Sequence, residues 1–176
     1  MLAAWRSARN RMGSDFPLDV RWTRMCFCGR QTKTGPAAER PEVGLPFFTG
    51  SEEERGPLFD ITQEHFEGRR SPVSAGPHGH KLGIQGVPGE VPPAVPLMTV
   101  RIGSRMLVSY PGESTKEVGA RLRAEVASAV AGSGISRVVV SGLANEFILY
   151  FTTPEEHDLQ HYEGGQTLFG RSASTL

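Results

Sequence analysis

The order of secondary-structure patterns in the second half of the chain is the strongest constraint on its fold. Residues 97–102 alternate between apolar and polar side chains, and residues 106–110 form a second strand pattern after a Gly-Ser turn. Together these two patterns predict a β-hairpin. Further strand patterns at 135–140 and 147–152 come after a helix pattern. Strand, helix and strand in this order predict a βαβ-like unit, so we expect an α/β fold with a mixed sheet.

Capping residues indicate where two helices begin. Ser114 and Glu117 fit a capping box, in which the serine hydroxyl satisfies a free backbone amide and the glutamate reaches back. Apolar residues at i+4 spacing follow and predict one buried helix face. Thr153 precedes a proline and two glutamates, which predicts a short C-terminal helix that ends at Tyr162.

Glycine and proline make up nearly a fifth of the 176 residues, with 21 and 13 copies. They recur every few positions over residues 68–96, which predicts a long, extended loop. Residues 1–17 lack hydrophobic periodicity, and we predict that they form a disordered extension. Residues 18–176 are expected to form a partial domain with long Gly/Pro-rich loops.

Composition narrows the classes of partner. The formal net charge is zero, which gives no reason to expect a nucleic-acid partner. No window approaches the roughly 18 apolar residues that a transmembrane span needs. The N-terminus lacks an apolar segment after its arginines and does not read as a signal peptide, so the compartment stays unassigned. Cys26 and Cys28 are only two residues apart, and they leave the redox environment open.

Three oxygen-bearing residues occupy positions where chemistry could occur. Glu113 lies between a strand end and a helix start, where it could bind a cation or only complement the helix dipole. Tyr150 lies on a predicted strand and Tyr162 at a helix end, where each could be a packing residue or a functional phenol. The residue pattern alone leaves these alternatives open. His78 and His80 form a His-Gly-His pair without Asp or Cys nearby, which is a weak metal-binding signal.

Three segments resemble signatures of the neutral ceramidase family. Residues 101–115 read RIGSRMLVSYPGEST, and residues 138–156 read VVVSGLANEFILYFTTPEE. Residues 160–170 continue as QHYEGGQTLFG. A looser similarity extends upstream through residues 50–53, which read GSEE, and residues 66–70, which read FEGRR. These segments are long, and they occur in the same order and at the same spacing as in the family. The chain therefore resembles the C-terminal part of a neutral ceramidase catalytic domain.

The resemblance implies a zinc-dependent amidase. In that family one zinc ion is held by two histidines, a glutamate and a tyrosine, and the last two correspond to Glu113 and Tyr150. A second tyrosine, which stabilises the oxyanion, corresponds to Tyr162. The implied reaction is hydrolysis of the ceramide amide bond to a sphingoid base and a fatty acid. Such a lipid substrate is compatible with peripheral contact with a membrane.

The family's two zinc histidines have no matching segment here. His65, His78 and His80 lie outside the family context, so we assign them no zinc role. We therefore expect the isolated chain to be incomplete and to have little ceramidase activity. Two alternatives stay open: a non-enzymatic remnant or half-subunit that needs an N-terminal partner, and an amidase acting on another N-acyl lipid.

Overall fold

The computed structural model describes residues 2–51, 53–85, 90–92 and 94–176, and it describes no side chain for residues 62–65. Within these residues the helices are α1 (Leu2–Arg9), α2 (Phe59–Phe66), α3 (Lys116–Ala129), α4 (Pro154–Leu159) and α5 (Tyr162–Gly165). The strands are β1 (Leu18–Met25), β2 (Gln31–Thr32), β3 (Gly35–Pro36), β4 (Val95–Ile102), β5 (Arg105–Ser109), β6 (Glu113–Ser114), β7 (Arg137–Ser141) and β8 (Tyr150–Phe151). Short 3-10 helices lie at Leu45–Phe48, Gly76–His78 and Ala173–Thr175.

The central element is a four-stranded mixed sheet in the order β1-β4-β5-β7. β4 pairs antiparallel with both β1 and β5, and β5 pairs parallel with β7. A parallel pair needs a crossover connection, and α3 lies in that connection and packs against β7. The predicted α/β class, hairpin and βαβ-like unit are confirmed.

The start of α3 differs from the sequence prediction by one residue. Thr115 is the N-cap, because its side chain accepts a hydrogen bond from the backbone N–H of Val118 at 3.3 Å. Ser114 instead belongs to β6, and its hydroxyl accepts a hydrogen bond from Tyr110. The predicted capping box that starts at Ser114 is therefore wrong, since a strand pair already uses this residue.

The strand predicted over residues 147–152 is shorter than its apolar pattern indicates. Within it only Tyr150–Phe151 forms a strand, β8, while Leu149 makes an isolated β-bridge with Thr167. Leu149 has a φ of +60°, in the left-handed region that side-chain-bearing residues rarely adopt. This conformation interrupts the strand and explains why alternation alone overestimated its length.

Two short helices follow β8. Thr153 and Glu156 form a complete capping box at the start of α4, as the sequence predicts. Gln160 then adopts a left-handed conformation with φ of +53°, which ends the helix. Tyr162 is the first residue of α5, so the prediction that it ends the first helix is wrong.

Aromatic side chains form the core beneath β8. The ring of Phe27 stacks on Phe169 with centroids 4.9 Å apart, and it also lies 5.9 Å from the ring of Phe151. Phe151 meets Tyr110 edge to face at 5.6 Å. Since successive strand residues point to opposite sides, burial of Phe151 directs the preceding residue, Tyr150, away from this core.

A buried lysine joins the first half of the chain to the segment beside β8. The Nζ atom of Lys81 donates to the carbonyl oxygens of Glu42 at 2.9 Å and Thr167 at 2.7 Å. Burial lowers the pKa of Lys81 to about 7. Thr167 in turn forms a β-bridge with Leu149, so this lysine supports the approach to β8.

The N-terminal helix α1 buries none of its residues. Its exposure does not test the predicted disorder of residues 1–17 or the division at residue 18, and both stay predictions. The structure joins Cys26 and Cys28 as a disulfide. In the part of the chain that is described, no helix is long and apolar enough to cross a membrane.

Candidate active site

Glu113 and Tyr150 lie directly opposite each other in a parallel strand pair. β6 and β8 pair in register, with Glu113 against Tyr150. Two backbone hydrogen bonds fix this register: Glu113 N–H donates to Leu149 at 2.9 Å, and Thr115 N–H donates to Phe151 at 3.1 Å. Paired residues project their side chains from the same face, so the carboxylate and the phenol become neighbours.

The glycine of the Pro-Gly-Glu sequence makes this pairing sterically possible. A Cβ atom on Gly112 would lie 2.6 Å from the carbonyl oxygen of Leu149 and 2.8 Å from the ring of Phe151. Those distances are below normal contact, and one of the two neighbours is backbone. Gly112 therefore allows the two chain segments to approach closely enough to pair.

The environment of Tyr150, which includes Glu113, changes the pKa of its phenol. Burial raises the pKa of Tyr150 well above its usual value, and the hydrogen bond and negative charge of Glu113 raise the pKa further. All three effects favour the neutral phenol, which can donate to the carboxylate. The two oxygen-bearing groups thus form one local unit.

Tyr162 completes the cluster from α5. Its ring meets the Tyr150 ring edge to face, with centroids 5.7 Å apart and an interplanar angle of 71°. The structure therefore brings all three residues selected from the sequence, Glu113, Tyr150 and Tyr162, into one neighbourhood. Tyr150 is the central member: it pairs with Glu113 across the two strands, and its ring contacts the Tyr162 ring.

A half-buried carboxylate, that of Glu156, links the ends of β6 and β8. The Oε2 atom of Glu156 accepts hydrogen bonds from the Thr115 hydroxyl at 2.7 Å and from the Thr153 backbone N–H at 2.8 Å. Thr115 follows β6 and Thr153 follows β8, so the Glu156 side chain connects the residues that come after the two strands. The sequence indicated Glu156 as a helix cap but carried no signal for its contact with Thr115, 41 positions earlier.

Glu67 and His161 were not selected from the sequence, although both lie beside Tyr162. Glu67 Oε1 is 3.2 Å from the backbone nitrogen of Tyr162 and 3.2 Å from Nδ1 of His161. Burial raises the pKa of Glu67, while the positive charge of His161 opposes the shift. Glu67 falls within the looser upstream similarity, which was the one available signal.

The histidines occupy other environments. His78 Nε2 lies 3.0 Å from the carbonyl of Arg40, and His80 Nδ1 lies 2.8 Å from the carbonyl of Ser71. His157 is fully buried, and burial lowers its pKa to about 3. The side chain of His65 lies outside those described.

Glu113 and Tyr150 fit two positions of a metal site, since adjacent carboxylate and phenol oxygens can share one cation. Among the described side chains, no group of three or more His, Cys, Asp and Glu could hold a metal ion. A catalytic zinc site normally has three protein ligands. The pair alone therefore supplies fewer ligands than such a site requires.

Sequence comparison identifies the family. Residues 37–176 match the profile described as neutral/alkaline non-lysosomal ceramidase, N-terminal. The chain belongs to the neutral/alkaline non-lysosomal ceramidase family. Its expected place in the C-terminal portion of the catalytic domain, within this N-terminal family region, stays a prediction.

Named relatives agree with this family membership. The neutral ceramidase of Mycobacterium tuberculosis (strain ATCC 25618 / H37Rv) is 39% identical over 158 residues, which cover 81% of this chain and 24% of that protein. The neutral ceramidase of Pseudomonas aeruginosa is 43% identical over 79 residues, which cover 45% of this chain and 12% of that protein.

Solved ceramidase structures share the fold. A structure described as "Ceramidase complexed with C2" matches with a TM-score of 0.72 and 25% identity, over 98% of this chain and 30% of that one. The neutral ceramidase from Pseudomonas aeruginosa matches with a TM-score of 0.68 and 25% identity, over 98% of this chain and 28% of that one. The matched segments thus span between 12% and 30% of the length of these relatives.

The close approach at Gly112 predicts the cost of adding one methyl group. Gly112→Ala should lower the free energy of unfolding by about 1–3 kcal/mol, because the new Cβ collides with backbone at Leu149. Gly119→Ala is the matched control, since its Cβ would meet only ordinary contact at 3.5 Å from the Ser114 hydroxyl. That control should be neutral or stabilising, because alanine favours helix more than glycine does. Urea denaturation measures both variants, and a Gly112→Ala variant as stable as the parent would contradict the packing.

Proposed function

We propose that this chain provides part of the active site for zinc-dependent hydrolysis of the amide bond of ceramide, giving a sphingoid base and a fatty acid. The in-register pairing of Glu113 with Tyr150, in a chain of the ceramidase family, is the observation that carries the proposal. The edge-to-face contact of Tyr162 with Tyr150 supports it. The names of the relatives support ceramide as the substrate.

Each of the three residues has a distinct role in this proposal. Glu113 and Tyr150 would hold the zinc ion, which would polarise the amide carbonyl and lower the pKa of a bound water far below its value in bulk water. Tyr162 donates its O–H to the oxygen on which negative charge develops. The in-register pairing of β6 with β8 keeps the two ligand side chains on one face of the strand pair.

Glu113 lies beside a cleft with both charged and apolar side chains, which neither Tyr150 nor Tyr162 lines. Glu113 and Leu143 both line an open cleft of about 510 Å³ between the start of α3 and the loop after β7. Leu143 is 63% exposed, and Phe147 on the same loop is 48% exposed. Such exposed apolar side chains beside polar groups are typical of ligand-binding surfaces.

A second candidate is a half-subunit that becomes active only with a partner polypeptide. One sheet face carries apolar side chains that nothing in the described chain covers, and on β1 these are Leu18, Val20 and Trp22. Each is more than half exposed, and uncovered faces of this kind mark interaction surfaces. In this reading the partner supplies the remaining zinc ligands, while Glu113 and Tyr150 keep the same roles.

Zinc affinity tests the ligand roles. Titration of the purified chain should give weak binding, since two ligands leave the coordination open. Glu113→Gln and Tyr150→Phe should each weaken it by at least about tenfold, because even the outer partners of metal ligands contribute about 10–100-fold. Glu117→Gln, on the exposed face of α3, and Tyr162→Phe should bind zinc like the parent. Equal affinity in all five proteins would contradict the assigned ligands.

Catalysis is best tested in a chimera. Residues 37–176 replace the matching segment of the Mycobacterium tuberculosis neutral ceramidase, and turnover of a fluorescent ceramide is measured. The chimera should hydrolyse ceramide and lose activity with Glu113→Gln or Tyr150→Phe. Tyr162→Phe should lower kcat by about 10²–10³-fold, as expected for loss of an oxyanion donor.

The isolated chain forms the second arm of this assay. It should show little turnover with added zinc, with the Pseudomonas aeruginosa neutral ceramidase as the positive control. Robust, chelator-sensitive turnover by the isolated chain would refute the incomplete site. A folded, zinc-loaded chimera without ceramide hydrolysis would refute the proposed function itself.

A further inference from the structure

We propose that Glu67 is a positioning residue that holds Tyr162 against Tyr150. The inference rests on the proposed function for the role of Tyr162, and its geometry stands independently of that role. Glu67 comes directly after α2 and reaches the first residue of α5, 95 positions later. Its carboxylate therefore connects two parts of the chain that are distant in sequence.

The start of α5 lacks its own side-chain cap. His161 is the N-cap residue, and its side chain makes no capping hydrogen bond. The first backbone N–H groups of a helix have no partner within the helix and need one from elsewhere. Glu67 Oε1 accepts from the Tyr162 N–H at 3.2 Å and so supplies the missing acceptor. A negative charge also complements the positive end of the helix.

The same carboxylate orients His161. Nδ1 of the imidazole lies 3.2 Å from Glu67 Oε1, so the two side chains are ion-pair neighbours when the imidazole is protonated. One oxygen thus accepts the Tyr162 N–H and lies beside the His161 ring, so two consecutive residues of the segment that carries Tyr162 contact Glu67.

Contacts on both sides keep Glu67 in place. Thr49 Oγ1 lies 3.4 Å from Glu67 Oε2, with its nearest acceptor the Pro46 carbonyl at 2.6 Å. The Gly68 N–H donates to the carbonyl of Gln160 at 3.0 Å. Gln160 is the left-handed residue that separates α4 from α5. The turn before Tyr162 and the carboxylate that caps it are therefore fixed by the same loop.

Loss of the Glu67 carboxylate should change the position of the Tyr162 ring. Without the carboxylate, the Tyr162 N–H loses its acceptor and the His161 ring loses its neighbour, and the first turn of α5 can shift. The ring then moves relative to Tyr150, with which it makes an edge-to-face contact. The strands that carry Glu113 and Tyr150 do not depend on Glu67, so their geometry should persist.

Fluorine NMR on the full chain tests this directly. The sequence has three tyrosines, so chains labelled with 3-fluorotyrosine give three resonances, which single Tyr→Phe substitutions assign. In Glu67→Ala the Tyr162 resonance should shift and broaden, with a smaller change at Tyr150 and none at Tyr110. Glu67→Gln should restore much of the parent spectrum, because its amide oxygen still accepts from the Tyr162 N–H. Glu117→Ala is the control carboxylate and should change nothing.

A purely structural role would give a different result. It would lower stability and disturb all three resonances together, or leave the Tyr162 resonance unchanged in a folded Glu67→Ala chain; either outcome overturns the proposal. Should Glu67→Ala fail to fold, Glu67→Asp retracts the carboxylate by one methylene and should still move the Tyr162 resonance. An unchanged spectrum in Glu67→Asp also overturns it.

Kinetics separate this inference from the proposed function. In an active chimera, Glu67→Ala should lower kcat by about 10–100-fold with little change in KM, as expected when a catalytic group is misplaced. Zinc affinity should be unchanged, because neither ligand contacts Glu67. An inactive parent chimera would refute the ceramidase proposal but leave the NMR result standing, whereas an active chimera that is indifferent to Glu67→Ala would refute the positioning role alone.

Discussion

The parallel pairing of Glu113 with Tyr150 is the interaction on which the candidate site depends. A pair of two-residue strands is too short to be stable alone, so its register must come from the surrounding packing. Gly112 allows the carbonyl of Leu149 to approach, and Phe151 is anchored among core aromatic rings. A slip of one residue would replace Tyr150 by an apolar neighbour opposite Glu113. The chemistry therefore follows from backbone packing at this one pair.

Carboxylates then stabilise the elements around the pair. Glu156 joins the residues that follow β6 and β8. Glu67 supplies the acceptor that the start of α5 lacks. Each accepts hydrogen bonds from backbone amides or hydroxyls, and hydrogen bonds to charged groups are among the stronger ones in proteins. Residues without a direct chemical role thus determine where Glu113, Tyr150 and Tyr162 lie.

The sequence predicted local features well. The alternation of apolar and polar residues predicted the β4–β5 hairpin, and Thr153 with Glu156 predicted the start of α4. Both features depend on residues that are close together in the sequence. The prediction at Ser114 was wrong because pairing with β8, set by tertiary packing, competes with helix capping. The positive φ of Leu149 had no signal in an apolar run.

Long-range contacts set the limit of prediction at the site. Family resemblance singled out Glu113, Tyr150 and Tyr162, and the fold brings them together. Glu67 was missed because its partner lies 95 positions away and a surface glutamate is the ordinary expectation. Neither hydrophobic periodicity nor a helix-cap pattern predicts a contact between segments so far apart in the sequence.

Crystals grown with zinc test the central claim most directly, through the anomalous scattering of the metal. The account predicts a peak at about 2.0–2.2 Å from a carboxylate oxygen of Glu113, with the Tyr150 hydroxyl as its second protein neighbour. Zinc bound only at other residues, with the Glu113 and Tyr150 side chains turned apart, would contradict the account.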